Sequence, residues 1–169
     1  MKTVLCSFCL KSGILCQKCS ARVKSGEINE LDLKIARLLL SLEEKYPSLQ
    51  NVFFCKAIEA GKTLALVVGS GDVPRLLGYG GKILKTIGEE TGKNVRVLES
   101  GADDRKFLED LFAPVSIVTI NTIWLPDGTT ETRAILRRRR GGQLPFDVKA
   151  LKEIASKVRN MTLRVEFTD

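Results

Sequence analysis

The 169-residue chain has no histidine. That absence excludes Ser-His-Asp and Cys-His catalysis, every His-containing metal site and the HExxH zinc proteases. The common phosphate loops are also incomplete. Gly81-Lys82 is followed by Ile83, where a Walker loop needs Ser or Thr, and no GxGxxG can be read around Gly69-Ser70-Gly71. Long apolar runs are missing as well. None approaches the ~20 residues of a membrane helix, and the N-terminus has no apolar signal region. The expectation is a soluble, cytoplasmic protein without a membrane partner. Enzymes built on carboxylates or lysines survive the filter, with Asp127 and Glu131 among the candidates, but no pair of them stands out. The chain therefore reads as a binding protein, not an enzyme, with no small-molecule substrate.

What is present begins with charge. Lys and Arg number 27 against 20 Asp and Glu, a net charge of +7 and a pI near 9.3. Such an excess favours polyanionic partners through steering and phosphate neutralisation, while a solvated surface is the plainer reading. The excess is uneven. It gathers at the N-terminus, in Lys2, Lys11, Lys18, Arg22 and Lys24, and in the run Arg137-Arg138-Arg139-Arg140.

Four of the five cysteines form two CxxC pairs, Cys6/Cys9 and Cys16/Cys19. Two such pairs suit one tetrahedral zinc ion, because each makes a tight knuckle whose thiolates converge. Two disulfides and a CxxC redox motif are the rivals; without an export signal the compartment is reducing, which disfavours the first. Iron in place of zinc stays open. With four protein ligands no coordination position is left for catalysis, so the metal is structural. The six residues between the pairs are short enough for a hairpin bent at Gly13. Residues 1–26 hold few apolar groups, so metal binding is expected to supply the missing stabilisation, and chelation to melt this module before the rest. Cys55 lies in an apolar strand pattern and reads as a core residue.

Beyond Gly26 the pattern is that of a folded α+β domain. Asn29 is a plausible N-cap for a helix carrying Leu31, Ile35, Leu38, Leu39 and Leu42, with Pro47 as its stop. Residues 51–58 and 63–68 read as strands joined by a turn at Gly61. Then come a short helix from Asp72, the turn Gly78-Tyr79-Gly80-Gly81, a helix carrying Lys82, Leu84, Lys85 and Ile87, and a strand over 95–98. Glycines let backbone pass close to a ligand, and a helix N-terminus favours an anion. Lys82 and Lys85 add positive charge, and Tyr79 offers a ring or a hydroxyl. Leu84 and Ile87 are spaced to hold the helix on the sheet. A bare glycine turn is otherwise only a tight helix corner.

From Leu77 to Val97 the chain resembles the KH (K-homology) RNA-binding domain: Gly78-x-x-Gly81, an aliphatic at Leu84, Glu89-Glu90-Thr91-Gly92 and a strand. With the preceding elements the order is α-β-β-α-α-β, the type II arrangement of NusA-like proteins, and the resemblance covers residues 30–100. It implies a clamp on about four single-stranded RNA nucleotides. Gly78 to Gly81 would contact phosphates with help from Lys82 and Lys85, and bases would lie towards Val95 and Val97.

The last third repeats the order. Residues 103–112 read as a helix stopped by Pro114, 115–125 and 129–138 as strands around Pro126-Asp127-Gly128, 151–158 as a helix and 161–167 as a strand. The resemblance leads one to expect tandem KH folds. However, Gly141-Gly142-Gln143-Leu144 breaks the GxxG spacing, so the second copy is degenerate and its cradle lost. The expected organisation is a zinc knuckle over 1–26, a KH domain over 27–100 and a KH-like domain over 101–169. Arg137, Arg138, Arg139 and Arg140 are candidate RNA contacts or solvated charge at a sheet edge. Trp124 reads as a core anchor. The resemblance implies single-stranded RNA as partner, a role in transcription elongation or termination, and RNA polymerase or the ribosome nearby. A ribosome-associated or protein-docking adaptor using the zinc module is the alternative.

Overall fold

The computed structural model describes residues 1–138 and 140–168. It is a mixed α+β structure with two sheets. In chain order the elements are β1 (Lys2–Thr3), α1 (Ser7–Ser12), α2 (Gln17–Lys24), α3 (Glu30–Leu42), β2 (Phe53–Ala60), β3 (Thr63–Val68), α4 (Val73–Leu77), α5 (Lys82–Thr91), β4 (Asn94–Glu99), α6 (Asp104–Phe112), β5 (Ile117–Trp124), β6 (Thr130–Arg137), α7 (Val148–Arg159) and β7 (Leu163–Thr168). The first sheet runs β1-β2-β3-β4 and the second β5-β6-β7. In each, an antiparallel pair (β2/β3, β5/β6) is extended by a parallel neighbour (β4, β7).

Both faces of the first sheet are covered, and β3 shows it. Thr63 to Val68 are all buried, the continuous apolar run expected of a strand covered on two sides. Leu64, Leu66 and Val68 join a core with Ile35 and Leu39 of α3 and Ile83 and Ile87 of α5. Ala65 and Val67 face the other way, into a core with Phe107, Leu108 and Leu111 of α6 and Leu151 and Ile154 of α7. Those two helices also carry the second sheet, through Leu136 and Leu163.

Two buried carboxylates hold β2. Asn29 and Asp32 form a reciprocal capping box at the start of α3. The same Asp32 carboxylate accepts the Ala57 N–H at 2.7 Å, beside a register shift between Phe54 and Lys56. At the strand's start Asp72 accepts the Phe53 N–H at 2.9 Å and pairs with Arg75. A strand amide left unpaired at a bulge is thereby satisfied, and β2 is tied to the helix that leads into the glycine turn.

Several expectations change. No hairpin links the cysteine pairs; Ser7–Ser12 and Gln17–Lys24 are helices, and Gly13 ends the first in a left-handed C-cap at φ 77°. Residues 1–26 do not rest on metal alone: β1 pairs with β2, and Leu5 and Leu10 are buried in the core beneath α3. Their few apolar groups add to a core shared with α3, so burial supplements the metal. Helix α3 ends at Leu42, and Pro47 instead opens a 3-10 turn over Pro47–Asn51. Helix α5 is seated by Ile83 and Ile87, four residues apart and fully buried, while Leu84 is only partly covered. Trp124 is not a core anchor. It is 77% exposed, at the last position of β5 opposite Thr130. Cys55 is half-buried against the second core, and burial pushes its thiol pKa up.

Candidate nucleic-acid interface and metal centre

The glycine turn follows from local backbone chemistry. Helix α4 stops at Leu77; Gly78 is extended, and then Tyr79, Gly80 and Gly81 are left-handed at φ 56°, 66° and 78°. A run of three such residues needs glycine wherever nothing else compensates. Tyr79 has a compensation. Its ring packs on the buried Tyr46 with centroids 5.1 Å apart, a contact worth about 0.5–1.5 kcal/mol. Within the turn the Gly81 N–H donates to the Gly78 carbonyl at 3.2 Å, and the Lys82 N–H to the Tyr79 carbonyl. These two amides are engaged, which makes the donor set smaller than the full row of main-chain nitrogens. A Cβ built on Gly80 or Gly81 meets nothing within 4 Å, so the turn is open to solvent.

Helix α5 begins without a side-chain cap and without an acidic residue in its first turn. Its N-terminal field is therefore not neutralised from within the helix, and a negatively charged ligand is favoured there. Lys82 and Lys85 are exposed on the same turn. Alongside runs an open groove of about 480 Å³ between α5 and β4, lined by Leu84, Lys85, Gly88, Glu89, Gly92, Lys93, Asn94 and Val95. Gly88 has a packing reason: a Cβ there lies 3.0 Å from the Lys93 carbonyl. Val95 lines this groove, whereas Val97 is buried in the core.

Gly78, Tyr79, Gly80, Gly81, Lys82 and Lys85 thus stand together at the α4–α5 corner. The arginine run lies elsewhere. Arg137 ends β6, and Arg137, Arg138 and Arg140 are exposed; Arg139 falls outside the described residues. Tyr46 escaped the sequence reading, because nothing in Lys45-Tyr46-Pro47 signals that its ring will support residue 79.

Each CxxC pair opens a helix. Cys6 and Cys16 are the N-caps of α1 and α2, with Cys9 and Cys19 one turn in. The four sulfurs lie within 4.8 Å of one another; a tetrahedral zinc ion with Zn–S bonds of about 2.3 Å separates its sulfurs by about 3.8 Å. The donor set therefore fits one metal ion such as zinc in an N-terminal knuckle. The Cys16 N–H donates to the Cys9 sulfur at 3.1 Å. Hydrogen bonding from the Cys19 N–H, then from the Cys9 thiol, brings the Cys16 thiol down to about 6. The Cys6 thiol is lowered by hydrogen bonds from Cys9. Cys9 is pushed up to about 12, chiefly by its hydrogen bond to Cys6. Hydrogen bonds within the cluster thus favour the thiolate at Cys6 and Cys16 and the thiol at Cys9, and a metal would displace the protons that remain.

No family model matches the chain. It is similar to the "Probable transcription termination protein NusA" of Methanocaldococcus jannaschii, 30% identical over 96 residues, which cover 54% of this chain and 51% of that protein. The matched segment spans about half the length of that relative. Among solved structures, one titled "Crystal structure of APE1850" has 21% identity and a TM-score of 0.47, covering 76% of this chain and 96% of that one. Among the described residues, no helix is long and apolar enough to cross a membrane.

Proposed function

We propose that the chain is a NusA-like RNA-binding protein whose first unit grips single-stranded RNA at the α4–α5 corner. In this reading residues 27–100 form a type II KH domain, 101–169 a second KH-like domain without the glycine loop, and 1–26 a structural zinc knuckle. The observation that carries it is the open left-handed turn at Gly80 and Gly81, placed ahead of an uncapped helix and beside Lys82 and Lys85. The Gly80 and Tyr79 main chain and the start of α5 would meet a phosphodiester, and the groove along Leu84 and Val95 would take the bases. The step is binding, with no bond made or broken. Similarity to an archaeal NusA over about half the chain supports a transcription-linked role, in elongation or termination.

Replacing Gly80 and Gly81 together by Asp tests this. Negative charge then sits where phosphate would, while the side chains point into open space. Short single-stranded RNA should no longer bind, and the parent's affinity should fall steeply with salt. Unchanged binding by the double variant sinks the corner as the site.

A second reading is favoured by one specific observation. Phe8 and Ile14 are 69% and 72% exposed around the cysteine cluster, near Lys11 and Lys18. In that adaptor reading the knuckle docks RNA polymerase or a ribosomal component, and the Gly80/Gly81 variant leaves the partner bound.

A further inference from the structure

The turn over 141–144 in the second unit, where the glycine loop is lost, borders a cavity of its own. Its volume is about 180 Å³, and Phe167, Leu144, Gln143, Gly142 and Arg138 line it. Phe167 is in register with Leu136, which is fully buried, yet its own ring is 41% exposed. An aromatic side chain at a core-facing register position that keeps this much exposure presents a wall rather than a packed ring. The turn that closes the cavity is held from behind. Phe146 packs edge-on against Phe112 with centroids 5.6 Å apart, and the Arg96 guanidinium lies over its ring at 5.3 Å. Left-handed Gly141 and Gly142, at φ 107° and 73°, let the chain bend there.

From these features we infer that the second unit carries a subsite for one unpaired nucleobase between Phe167 and the Gln143 turn. The inference rests on the RNA-binding reading above and adds a second point of attachment with its own ligand chemistry. The volume is below the range of about 300–1,000 Å³ usual for drug-sized ligands, so a single planar ring suits it better than a larger group. A base has a π-face for Phe167 and an edge of donors and acceptors for Gln143, whose amide supplies both. Arg137 and Arg140, both exposed and close along the chain to the Gln143 turn, suit the flanking phosphates. Among the described residues, no carboxylate lines the cavity. An acidic peptide would account for the arginines, but not for a ring and an amide facing the same small space. The first unit then holds the backbone, and the second reads a base.

The test uses the full chain with an unstructured RNA long enough to span both units, and an abasic strand of the same length. Phe167→Ala should weaken RNA binding about tenfold and leave abasic-strand binding unchanged. Ultraviolet crosslinking should join the RNA to the peptide containing Phe167. Because Gln143 is exposed, Gln143→Ala serves if Phe167→Ala fails to fold; it should alter the ranking of homopolymeric RNAs. Equal weakening of the abasic strand, unchanged binding by both variants, or Phe167-dependent capture of polyglutamate in preference to RNA each overturns the subsite. Loss through Gly80→Asp/Gly81→Asp with both second-unit variants unaffected leaves the first-unit reading standing alone. A parent chain that binds no RNA ends both.

Discussion

The two units share an antiparallel strand pair with a parallel neighbour and differ most at the crossover. Between β3 and β4 the chain makes α4, a left-handed turn and α5; between β6 and β7 the described residues hold one helix, α7. The ends of the two crossover helices differ in the same sense. Helix α5 has Gly81 at its N-cap and no acid in its first turn, whereas α7 is capped by Asp147, whose carboxylate accepts the Lys149 N–H at 3.0 Å. One helix start is left for a ligand's negative charge, and the other is occupied by a carboxylate of its own chain. A similar strand pattern therefore does not imply a shared site: in the proposed reading, a cap and a glycine spacing decide which unit can receive a phosphate.

The largest expected effect separates the units through metal. Stripping the ion with a chelator, or Cys9→Ser with Cys19→Ser, should remove hydrogen-exchange protection from β1, α1, α2 and the start of α3. The amides of β5, β6 and β7 should keep theirs. Structural zinc contributes on the order of 10 kcal/mol in small modules. Here Leu5, Leu10 and the β1–β2 pairing leave part of the order in place. The pH dependence follows from the thiols. Cys16 titrates near 6, below the usual thiol value, so its thiolate is present above that pH and lost as pH falls through it. Protons compete with the metal for all four sulfurs, so metal retention measured by mass spectrometry should decline on acidification. Because Cys9 and Cys19 are raised, metal uptake near neutral pH should release protons, read as a pH drop in weakly buffered solution. Equal loss of protection in both sheets would show that the units are not separable in this way.

A smaller effect comes from the two glycine turns. Gly80→Ala and Gly142→Ala both place a side chain at positive φ in open space, so each should cost stability by about 1 kcal/mol. Only Gly80→Ala should weaken binding of a four-nucleotide RNA. Thermal melts and a titration of each variant read the two quantities separately, and matched losses of affinity would erase the contrast.

The smallest effect belongs to Trp124. Its side chain is 77% exposed, so Trp124→Ala should shift stability by no more than about 0.5 kcal/mol. The parent's tryptophan emission should resemble that of the free amino acid. A loss of several kcal/mol would return Trp124 to the core.

Much of the fold was legible along the chain because the signals are local. Asn29 announces a capped helix, Thr63 to Val68 a strand, and Gly78 to Gly81 a corner between helices. The cysteine spacing likewise announces a convergent donor set. What could not be read were relations across distance. Whether Leu84 or Ile83 faces the sheet depends on helix phase set by packing, and Trp124 has the composition of a core residue at a position that nothing covers. Tyr46 lies 33 positions before the residue whose ring it supports. The helical form of the cysteine segments was missed because a six-residue connection is compatible with a hairpin until Leu10 finds a core to enter.

The sequence alone determined which backbone conformations were affordable and which atoms were available: four thiols, a glycine corner, two lysines beyond it, four consecutive arginines. These follow from covalent geometry and charge, which need no neighbours. Tertiary structure decided which of these groups meet and which stay apart. It brought the thiols together, put a tyrosine behind the glycine corner, and set Arg138 beside a cavity with Phe167 instead of at that corner. The reason is that burial is collective: a side chain's surroundings are fixed only when every element that covers it has been positioned.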